Sequence, residues 1–219
     1  MHISPDHIIW WRYSVFSLNS TILFTWIVMV ILVVGSWLVT RRLSSDVHIS
    51  RWQHMLEVVV EGIRQQLREI SLREPKGLLP FLGTLFLYIA VSNLLSVVPG
   101  FEPPTGSLST TAALSICVFL AVPGYGVSEI GLMNYFKNYI RPTPFMLPFN
   151  IMGEVSRTLA LAVRLFGNVM SGTMIGAILL AIAPLVFPVI MHLLGLLTGL
   201  VQAYIFAILA AVYIGAGME

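Results

Sequence analysis

Long, uninterrupted apolar runs make up most of this chain, and short polar segments separate them. Each run is longer than the roughly 10 residues of a transmembrane β-strand and close to the roughly 20 residues with which an α-helix crosses a bilayer. A backbone in hydrocarbon must satisfy its own hydrogen bonds, as a helix does within one segment. The pattern therefore predicts five transmembrane helices, over residues 18–39, 78–98, 108–133, 149–183 and 188–217.

One segment between the first two runs has a different periodicity. From residue 50 to residue 74, apolar side chains recur at helical spacing and charged side chains occupy the other faces. This pattern predicts an amphipathic helix that lies on the membrane surface or on a partner protein. In the third apolar run, Pro123, Gly124 and Gly126 are expected to break the helix locally.

The composition agrees with a bilayer environment. Hydrophobic residues make up 57% of the 219 positions and charged residues only 10%, whereas soluble domains are about 25% charged. The mean hydropathy of +0.88 is too high for the surface of a soluble domain. We therefore expect an all-α membrane protein that forms a single domain over residues 1–219 in the lipid bilayer, with no bound metal or cofactor.

The basic residues indicate an orientation rather than a nucleic-acid partner. The net charge is only +2, and most Lys and Arg residues lie at the ends of apolar runs. Seven of them lie between the first and second runs, whereas Arg12 is the only one in a segment on the opposite side. The positive-inside rule then predicts an N-terminus outside and a C-terminus in the cytoplasm. The first residues contain no basic region, so no cleavable signal peptide is expected.

Arg164 is the most unusual residue of the fourth run, because it lies near the middle of an apolar helix. Placing an arginine there costs at least about 2.5–3.5 kcal/mol, so the side chain must face a polar cavity or an anionic partner. A guanidinium group does not release its proton, but it can pair with a carboxylate and keep it ionised. Glu154 is ten residues away, about 15 Å along a helix, so the partner is expected on another chain. A buried arginine that is satisfied within its own subunit is the alternative interpretation.

Other polar side chains of the last two runs fall on shared helix faces. Asn168 is one turn beyond Arg164, and Arg157 lies seven residues before Arg164, on the same face. In the last run, Tyr213 shares a face with Gln202. If the two helices pack antiparallel, these residues form two polar patches with Arg164 between them. The outer patch would contain Asn168, Ser171, Thr173, His192 and Gln202, and the inner patch Glu154, Arg157 and Tyr213.

Members of these patches also have simpler structural interpretations. Ser171 and Thr173 can bond to the backbone of their own helix, and His192 can be a residue of the membrane interface. Glu154 and Arg157, three residues apart, can form a salt bridge. Close helix packing would explain the small-residue pairs Gly172 with Gly176 and Gly195 with Gly199.

One motif in the fourth run is specific enough to indicate a family. The sequence Arg164-Leu-Phe-Gly-Asn168 resembles the signature of the fourth long helix in subunit a of F-type ATP synthases. The likeness extends from about residue 20 to the end of the chain. Further segments that are similar to the family are Gly153–Arg157, Gln202–Phe206 with Val212 and Tyr213, and Asn93–Gly100 with Pro103–Thr105.

The resemblance implies a role in a rotary machine. Arg164 would face the carboxylates of the rotating c-ring from two long, tilted, antiparallel C-terminal helices, with Asn168 and Gln202 beside it. Ions would enter by one half-channel, ride on a c-ring carboxylate and leave by the other half-channel. The further partners that the resemblance implies are the peripheral-stalk b subunits and, indirectly, the catalytic head. The chain itself would not be catalytic, and it contains no P-loop motif.

The chain departs from the family pattern at three positions. Thr173 and Gly195 stand where many members have an ionisable Glu/His pair on the outer half-channel, and His192, one turn from Gly195, is a candidate substitute. Thr158 replaces the usual proline after the Gly153–Arg157 segment. At these positions the chain resembles the N-type ATPases, a bacterial subgroup that includes sodium pumps. The resemblance implies a bacterial inner membrane and leaves the coupling ion, proton or sodium, open.

Two other functions would also use intramembrane polar groups. A secondary ion transporter or antiporter would normally show repeats or broken helices and a midplane carboxylate of its own, and the sequence shows neither clearly. An intramembrane protease would need a nucleophile and a base at matching depth. His192 and Ser171 are the only conceivable pair, and no nucleophile motif surrounds either.

Overall fold

The computed structural model describes most of the chain. The described residues are 9–13, 16–41, 58, 61–62, 64–65, 77–98, 100–133, 135, 137, 145–182 and 187–218. In this part a short antiparallel hairpin, β1 (Ile9–Tyr13) and β2 (Phe16–Asn19), comes first. Five long helices follow: α1 (Ser20–Thr40), α2 (Leu78–Leu94), α3 (Leu108–Ile130), α4 (Met146–Ile182) and α5 (Phe187–Met218).

All five helices are long and apolar enough to cross a bilayer. Their apolar windows begin with Ser20–Leu38 near the N-terminus and end with Val189–Met218. The prediction of an all-α membrane protein with five spans is therefore confirmed for the membrane part. The hairpin formed by β1 and β2 is an addition that the pattern of apolar runs did not predict.

The third helix differs from its prediction in two ways. α3 is continuous through Pro123, Gly124 and Gly126, where a local break was expected. A proline in a membrane helix removes one hydrogen bond without ending the helix, because neighbouring groups and small local adjustments satisfy the freed carbonyl. The helix ends at Ile130 and not at residue 133, because Gly131 adopts a positive φ of 85°, a conformation that favours glycine.

Prolines stand in the first turn of three helices. Pro80 is the third residue of α2, Pro148 the third of α4 and Pro188 the second of α5. The first N–H groups of a helix have no partner within it, so a proline there sacrifices no hydrogen bond. α4 therefore begins at Met146, ahead of Pro148, and not at the predicted residue 149.

α5 lies at the centre of the bundle, in contact with α2, α3 and α4. Its small residue Ala203 and the ring of Phe206 are completely buried. Small residues let helix backbones approach closely, which helps membrane helices to associate. The apolar cluster around α5 includes Leu82 and Ile89 of α2, Val118 of α3, and Leu161 and Leu165 of α4.

Contacts with α5 define the two ends of the bundle. Asn168 of α4 and Asn93 of α2 both bond to residues 198–199 of α5, whereas Arg157 lies over the ring of Tyr213. α4 and α5 are therefore antiparallel. We call the end that carries the α2–α3 connection the loop end, and the end that carries the last residues of α5 the C-terminal end.

Two helices leave most of their apolar surface uncovered by the rest of the chain. Only 11% of the apolar window of α1 and 6% of that of α4 is buried. The rings of Phe24 and Phe101 meet edge to face, with 4.8 Å between their centres, and hold α1 against the α2–α3 connection. Surfaces this apolar must face lipid or another subunit.

The predicted amphipathic helix lies mostly outside the described residues. Within the segment 50–74, residues 58, 61–62 and 64–65 are described, and all of them are helical. Arg64 forms an ion pair with Glu61, three residues earlier, with 3.8 Å between nitrogen and oxygen. Both side chains are well exposed, so the pair adds little stability.

Replacement of Gly126 by Ala is expected to destabilise the protein. A Cβ atom there would lie 2.8 Å from the carbonyl oxygen of Gly217 and 2.6 Å from the ring of Tyr135, and such overpacking typically costs about 1–3 kcal/mol. Gly124→Ala in the same helix is the matched control, since a Cβ atom there meets nothing within 4 Å. Thermal unfolding of the full-length protein in detergent should give a lower midpoint for Gly126→Ala alone. Equal midpoints would contradict this packing of α3 against α5.

Candidate functional site

Two cavities open between the helices, one at each end of the bundle. The loop-end cavity has a volume of about 340 Å³ and is lined by α4, α5 and the α2–α3 connection. The C-terminal cavity has a volume of about 510 Å³ and is lined mainly by α3, α4 and α5. Both cavities combine apolar walls with polar side chains, so each offers a place for water or ions within the helix bundle.

The C-terminal cavity brings the predicted inner patch together. Glu154, Arg157 and Tyr213 all line it. The guanidinium carbon of Arg157 lies 5.7 Å from the centre of the Tyr213 ring, a cation–π contact worth roughly 0.5–1 kcal/mol at an exposed site. Thr158 donates its hydroxyl proton to the backbone carbonyl of Glu154, 2.9 Å away. The wall of the C-terminal cavity therefore contains the Glu154 carboxylate and the Arg157 guanidinium, which lies over the Tyr213 ring.

The loop-end cavity contains part of the predicted outer patch. Asn168, Thr173 and His192 line it. The Asn168 amide donates to the carbonyl of Thr198 in a long hydrogen bond of 3.4 Å. Glu102, from the α2–α3 connection, also lines this cavity, which the sequence pattern did not predict. The loop-end cavity therefore has both a carboxylate and an imidazole in its wall.

Two residues of the predicted outer patch lie outside the loop-end cavity. Ser171 is exposed and donates its hydroxyl proton to the carbonyl of Asn168, 3.1 Å away. Thr173, inside the cavity, makes the same kind of bond to Met170 at 2.9 Å, so the helix backbone satisfies both hydroxyls. Gln202 is only 6% exposed, and its Nε2 atom has no hydrogen-bond partner in the described part of the chain.

Glycines make room for the loop-end cavity. Gly172, Gly176 and Gly195 line it, and a Cβ atom at any of them would meet nothing within 4 Å. Of the four paired glycines, only Gly199 is tightly packed, since a Cβ atom there would lie 2.8 Å from the Cβ of Asn93. The helix-packing explanation is therefore correct for Gly199 and wrong, within this chain, for the other three.

A buried hydrogen-bond network fixes one wall of the loop-end cavity. The Asn93 amide nitrogen donates to the carbonyl of Gly199 at 3.0 Å, and the Thr105 hydroxyl donates to the Asn93 amide oxygen at 2.8 Å. The Ser96 hydroxyl donates to the Asn93 carbonyl at 2.6 Å. Asn93 and Thr105 are both buried, where an unpaired polar group would be costly. The network joins α2, α5 and the α2–α3 connection at one point.

A packed apolar core separates the two cavities. Along α4, no residue between Thr158 and Asn168 lines either cavity, and this stretch is about 15 Å long. Leu161 and Leu165 lie within it and belong to the same buried cluster as Phe206 of α5. In the described part of the chain, this apolar cluster therefore lies between one cavity and the other.

Arg164 lies on α4 between the levels of the two cavities. Its side chain is exposed and lines neither cavity. No hydrogen bond or ion pair joins this side chain to the part of the chain that the structure describes. The adjacent Val163 is an exposed apolar residue. A charge on such a surface at membrane depth points to an anionic partner outside this chain.

Comparison with known proteins identifies the family. A family profile described as "ATP synthase A chain" matches residues 22–215. The chain belongs to the ATP synthase subunit a family. ATP synthase subunit a 2 of Acaryochloris marina is 62% identical to it, over 100% of this chain and 94% of the relative. ATP synthase subunit a of Nitrosospira multiformis is 61% identical, over 99% of this chain and 86% of the relative.

The resemblance inferred from the Arg164 motif is therefore confirmed. Subunit a is a membrane-sector component of F-type ATP synthase, so this chain is a membrane protein of a complex with other ATP synthase subunits. Of the predicted ion-path residues of this subunit a, Glu154, Arg157 and Tyr213 line the C-terminal cavity, and Asn168, Thr173 and His192 line the loop-end cavity.

Thr105→Val is expected to loosen the α2–α3 connection. The change keeps the side-chain volume but leaves the buried Asn93 amide oxygen without its donor, at a cost of about 1–3 kcal/mol. Thr84→Val is the matched control, because the exposed Thr84 hydroxyl bonds to its own helix at Phe81. The thermal midpoint of purified subunit a in detergent should fall for Thr105→Val and stay unchanged for Thr84→Val. A Thr105→Val subunit as stable as the control would show that the network contributes no stability.

Proposed function

We propose that this subunit a is the ion-translocating stator subunit of a rotary ATP synthase. The loop-end cavity and the C-terminal cavity would be its two half-channels. The observation that carries the proposal is the separation of these cavities by an apolar core, with the exposed Arg164 between their levels. An ion that enters either cavity then meets buried apolar side chains of the described residues before it reaches the other.

Arg164 controls the release of ions from the c-ring between the half-channels. Its uncompensated charge requires an anionic partner on another subunit, and a c-ring carboxylate at the same depth would meet that need. A nearby positive charge favours the ionised form of a carboxyl group, so a ring carboxylate that passes Arg164 would release its ion. The guanidinium group does not release its own proton. Arg164 therefore blocks the direct route and does not carry ions itself.

Because the apolar core of the described residues lies between the cavities, the proposed ion route passes through the ring. An ion enters one cavity, binds a ring carboxylate, travels with the turning ring and leaves through the other cavity. Each unit charge gains about 2.3 kcal/mol per 100 mV of membrane potential, which is too little to make ATP on its own. Rotation sums several crossings, and the ATP chemistry belongs to the catalytic head. Subunit a is a non-catalytic member of the complex.

The distribution of basic residues supports an orientation. Arg41 follows α1 and Lys137 follows α3, both toward the C-terminal end of the bundle. The positive-inside rule puts that end in the cytoplasm and the loop end outside, across a bacterial inner membrane. The proposed partners are the c-ring, which faces Arg164, and the peripheral-stalk b subunits. The transported ion is a proton or a sodium ion.

Thiol labelling of single-cysteine variants should separate the two half-channels. Thr173→Cys lies in the loop-end cavity and Thr158→Cys in the C-terminal cavity, so a membrane-impermeant maleimide should reach them from opposite sides of the membrane. Leu161→Cys, in the buried core, should react from neither side. The exposed native Cys117 is replaced by Ser in every variant. Labelling of both cavity variants from the same side would contradict the assignment of two half-channels.

Ion uptake driven by ATP, into vesicles that carry the assembled complex, tests the proposed function. Arg164→Ala is expected to abolish uptake while ring and stator still assemble, because no positive charge then makes a ring carboxylate release its ion between the half-channels. Arg41→Ala is the matched control, since the Arg41 guanidinium lies over the Trp37 ring, 4.8 Å from its centre, and lines neither cavity. Uptake of Arg41→Ala vesicles should stay near the unaltered level.

Uptake in this experiment is followed both as acidification and as sodium accumulation, which identifies the ion. Near-normal uptake by an assembled Arg164→Ala complex would remove the rotary role of this arginine. A transporter mechanism within subunit a would then have to be considered again.

A further inference from the structure

We propose that Glu102 is the ion-binding carboxylate of the loop-end cavity and that it works with His192 to pass a cation between outside water and the c-ring. This inference rests on the proposed role of that cavity as a half-channel. The cation is a proton or a sodium ion, both of which a carboxylate binds. Glu102 lies on the α2–α3 connection, outside the long helices that carry the residues of the Arg164 motif.

Glu102 has an unusual environment for a glutamate on a connection between helices. Its side chain lines the loop-end cavity. Its Oε2 atom is buried and has no hydrogen-bond partner in the described part of the chain. An ionised oxygen in such a place loses its hydration without compensation. The carboxyl group therefore becomes more stable whenever a cation binds to it.

Among the described residues, Glu102 supplies the carboxylate of the loop-end cavity. Among the described residues that line the cavity, Glu102 carries a carboxylate and His192 an imidazole. None of the described residues that line it is a Lys or Arg, so no fixed cation among them competes for the carboxylate. The other polar side chains are neutral and come from Asn93, Ser96, Asn168, Thr173 and Thr198.

The backbone on both sides of Glu102 is held in place. The preceding residue, Phe101, packs edge to face against Phe24 of α1. Three residues beyond Glu102, the buried Thr105 bonds to Asn93. An ion-binding group needs this kind of support, because a freely moving carboxylate would be solvated by bulk water instead of facing the cavity.

The lining residues form a route from the connection toward the level of Arg164. Glu102 lies on the α2–α3 connection, His192 near the start of α5, and Asn168 on α4, one turn from Arg164. No hydrogen bond or ion pair joins Glu102 to His192 in the described part of the chain. The volume of about 340 Å³ leaves space between the walls for water or for a passing ion.

The proposed transfer conserves atoms and charge for either ion. For a proton, a hydronium ion protonates the Glu102 carboxylate and leaves a water molecule. The carboxylic acid then gives this proton, through His192 or cavity water, to an ionised ring carboxylate and returns to its charged form. For sodium, a Glu102 oxygen coordinates the ion and releases it to the ring carboxylate, and no covalent bond changes.

The test compares ATP-driven uptake by Glu102→Gln, Glu102→Asp and Glu129→Gln in vesicles that carry the assembled complex. Glu102→Gln keeps the side-chain size but removes the charge, and uptake should fall by roughly tenfold or more, since a positioned proton-transfer group contributes about 100-fold or more. Glu102→Asp restores a carboxylate and should recover most of the uptake. Glu129 is an exposed glutamate toward the opposite end of α3, and Glu129→Gln should leave uptake unchanged.

ATP synthesis driven by an imposed gradient distinguishes the two ions. In inverted vesicles the ion then enters from the lumen through the loop-end cavity. A higher lumenal ion concentration compensates for weaker binding, so the defect of Glu102→Gln should shrink as that concentration rises. Relief by lumenal acid identifies a proton, and relief by lumenal sodium identifies sodium.

The outcomes separate this inference from the proposed function. Unchanged uptake by Glu102→Gln, in a complex that Arg164→Ala inactivates, would overturn the role of Glu102 alone. Unchanged uptake in both variants would overturn the proposed function as well. If Glu102→Gln does not assemble, Glu102→Thr is the second neutral variant. If neither Glu102→Gln nor Glu102→Thr assembles while Glu102→Asp assembles normally, the carboxylate is needed for folding and the inference is wrong.

Discussion

A buried amide within a membrane protein is costly unless it forms hydrogen bonds inside the protein, and the bonds of Asn93 show what this cost does to the bundle. Its amide donates to α5 and accepts from the α2–α3 connection. Gly199 is needed for this approach, because a Cβ atom would collide with Asn93. The connection that carries Glu102 and the helix that carries His192 are therefore positioned by the same residue. The shape of the loop-end cavity depends on these bonds.

The helix α5 has two opposite packing requirements along its length. Near its start α5 must leave space, and Gly195 does so because nothing occupies the position of its missing side chain. Farther along, α5 must close the interior, and Ala203 and Ala210 let it pack tightly in the cluster around Phe206. Small residues therefore have two different uses within a few turns. Their neighbours decide whether a small residue creates a cavity or a close contact.

Local sequence determined some features of this protein and left others open. The five spans were predictable, because twenty apolar residues in a row have few alternatives to a membrane helix. Helical spacing also predicted that Glu154, Arg157 and Tyr213 would meet. It could not show that Gln202 would be buried away from the loop-end cavity, because periodicity does not reveal which face a neighbouring helix covers. Glu102 was missed because contacts distant in sequence position its irregular segment.

The apolar core between the cavities has an electrical consequence. The loop-end cavity, with a volume of about 340 Å³, combines apolar walls with polar side chains, and as a half-channel it would hold water. Water conducts and polarises far better than hydrocarbon, so with water in both proposed half-channels the membrane potential would fall mainly across the core. The core extends about 15 Å along α4, roughly half the thickness of the hydrocarbon layer of about 30 Å. The electric field around Arg164 would then be about twice the field across an uninterrupted bilayer, and the voltage would act where a ring carboxylate exchanges its ion.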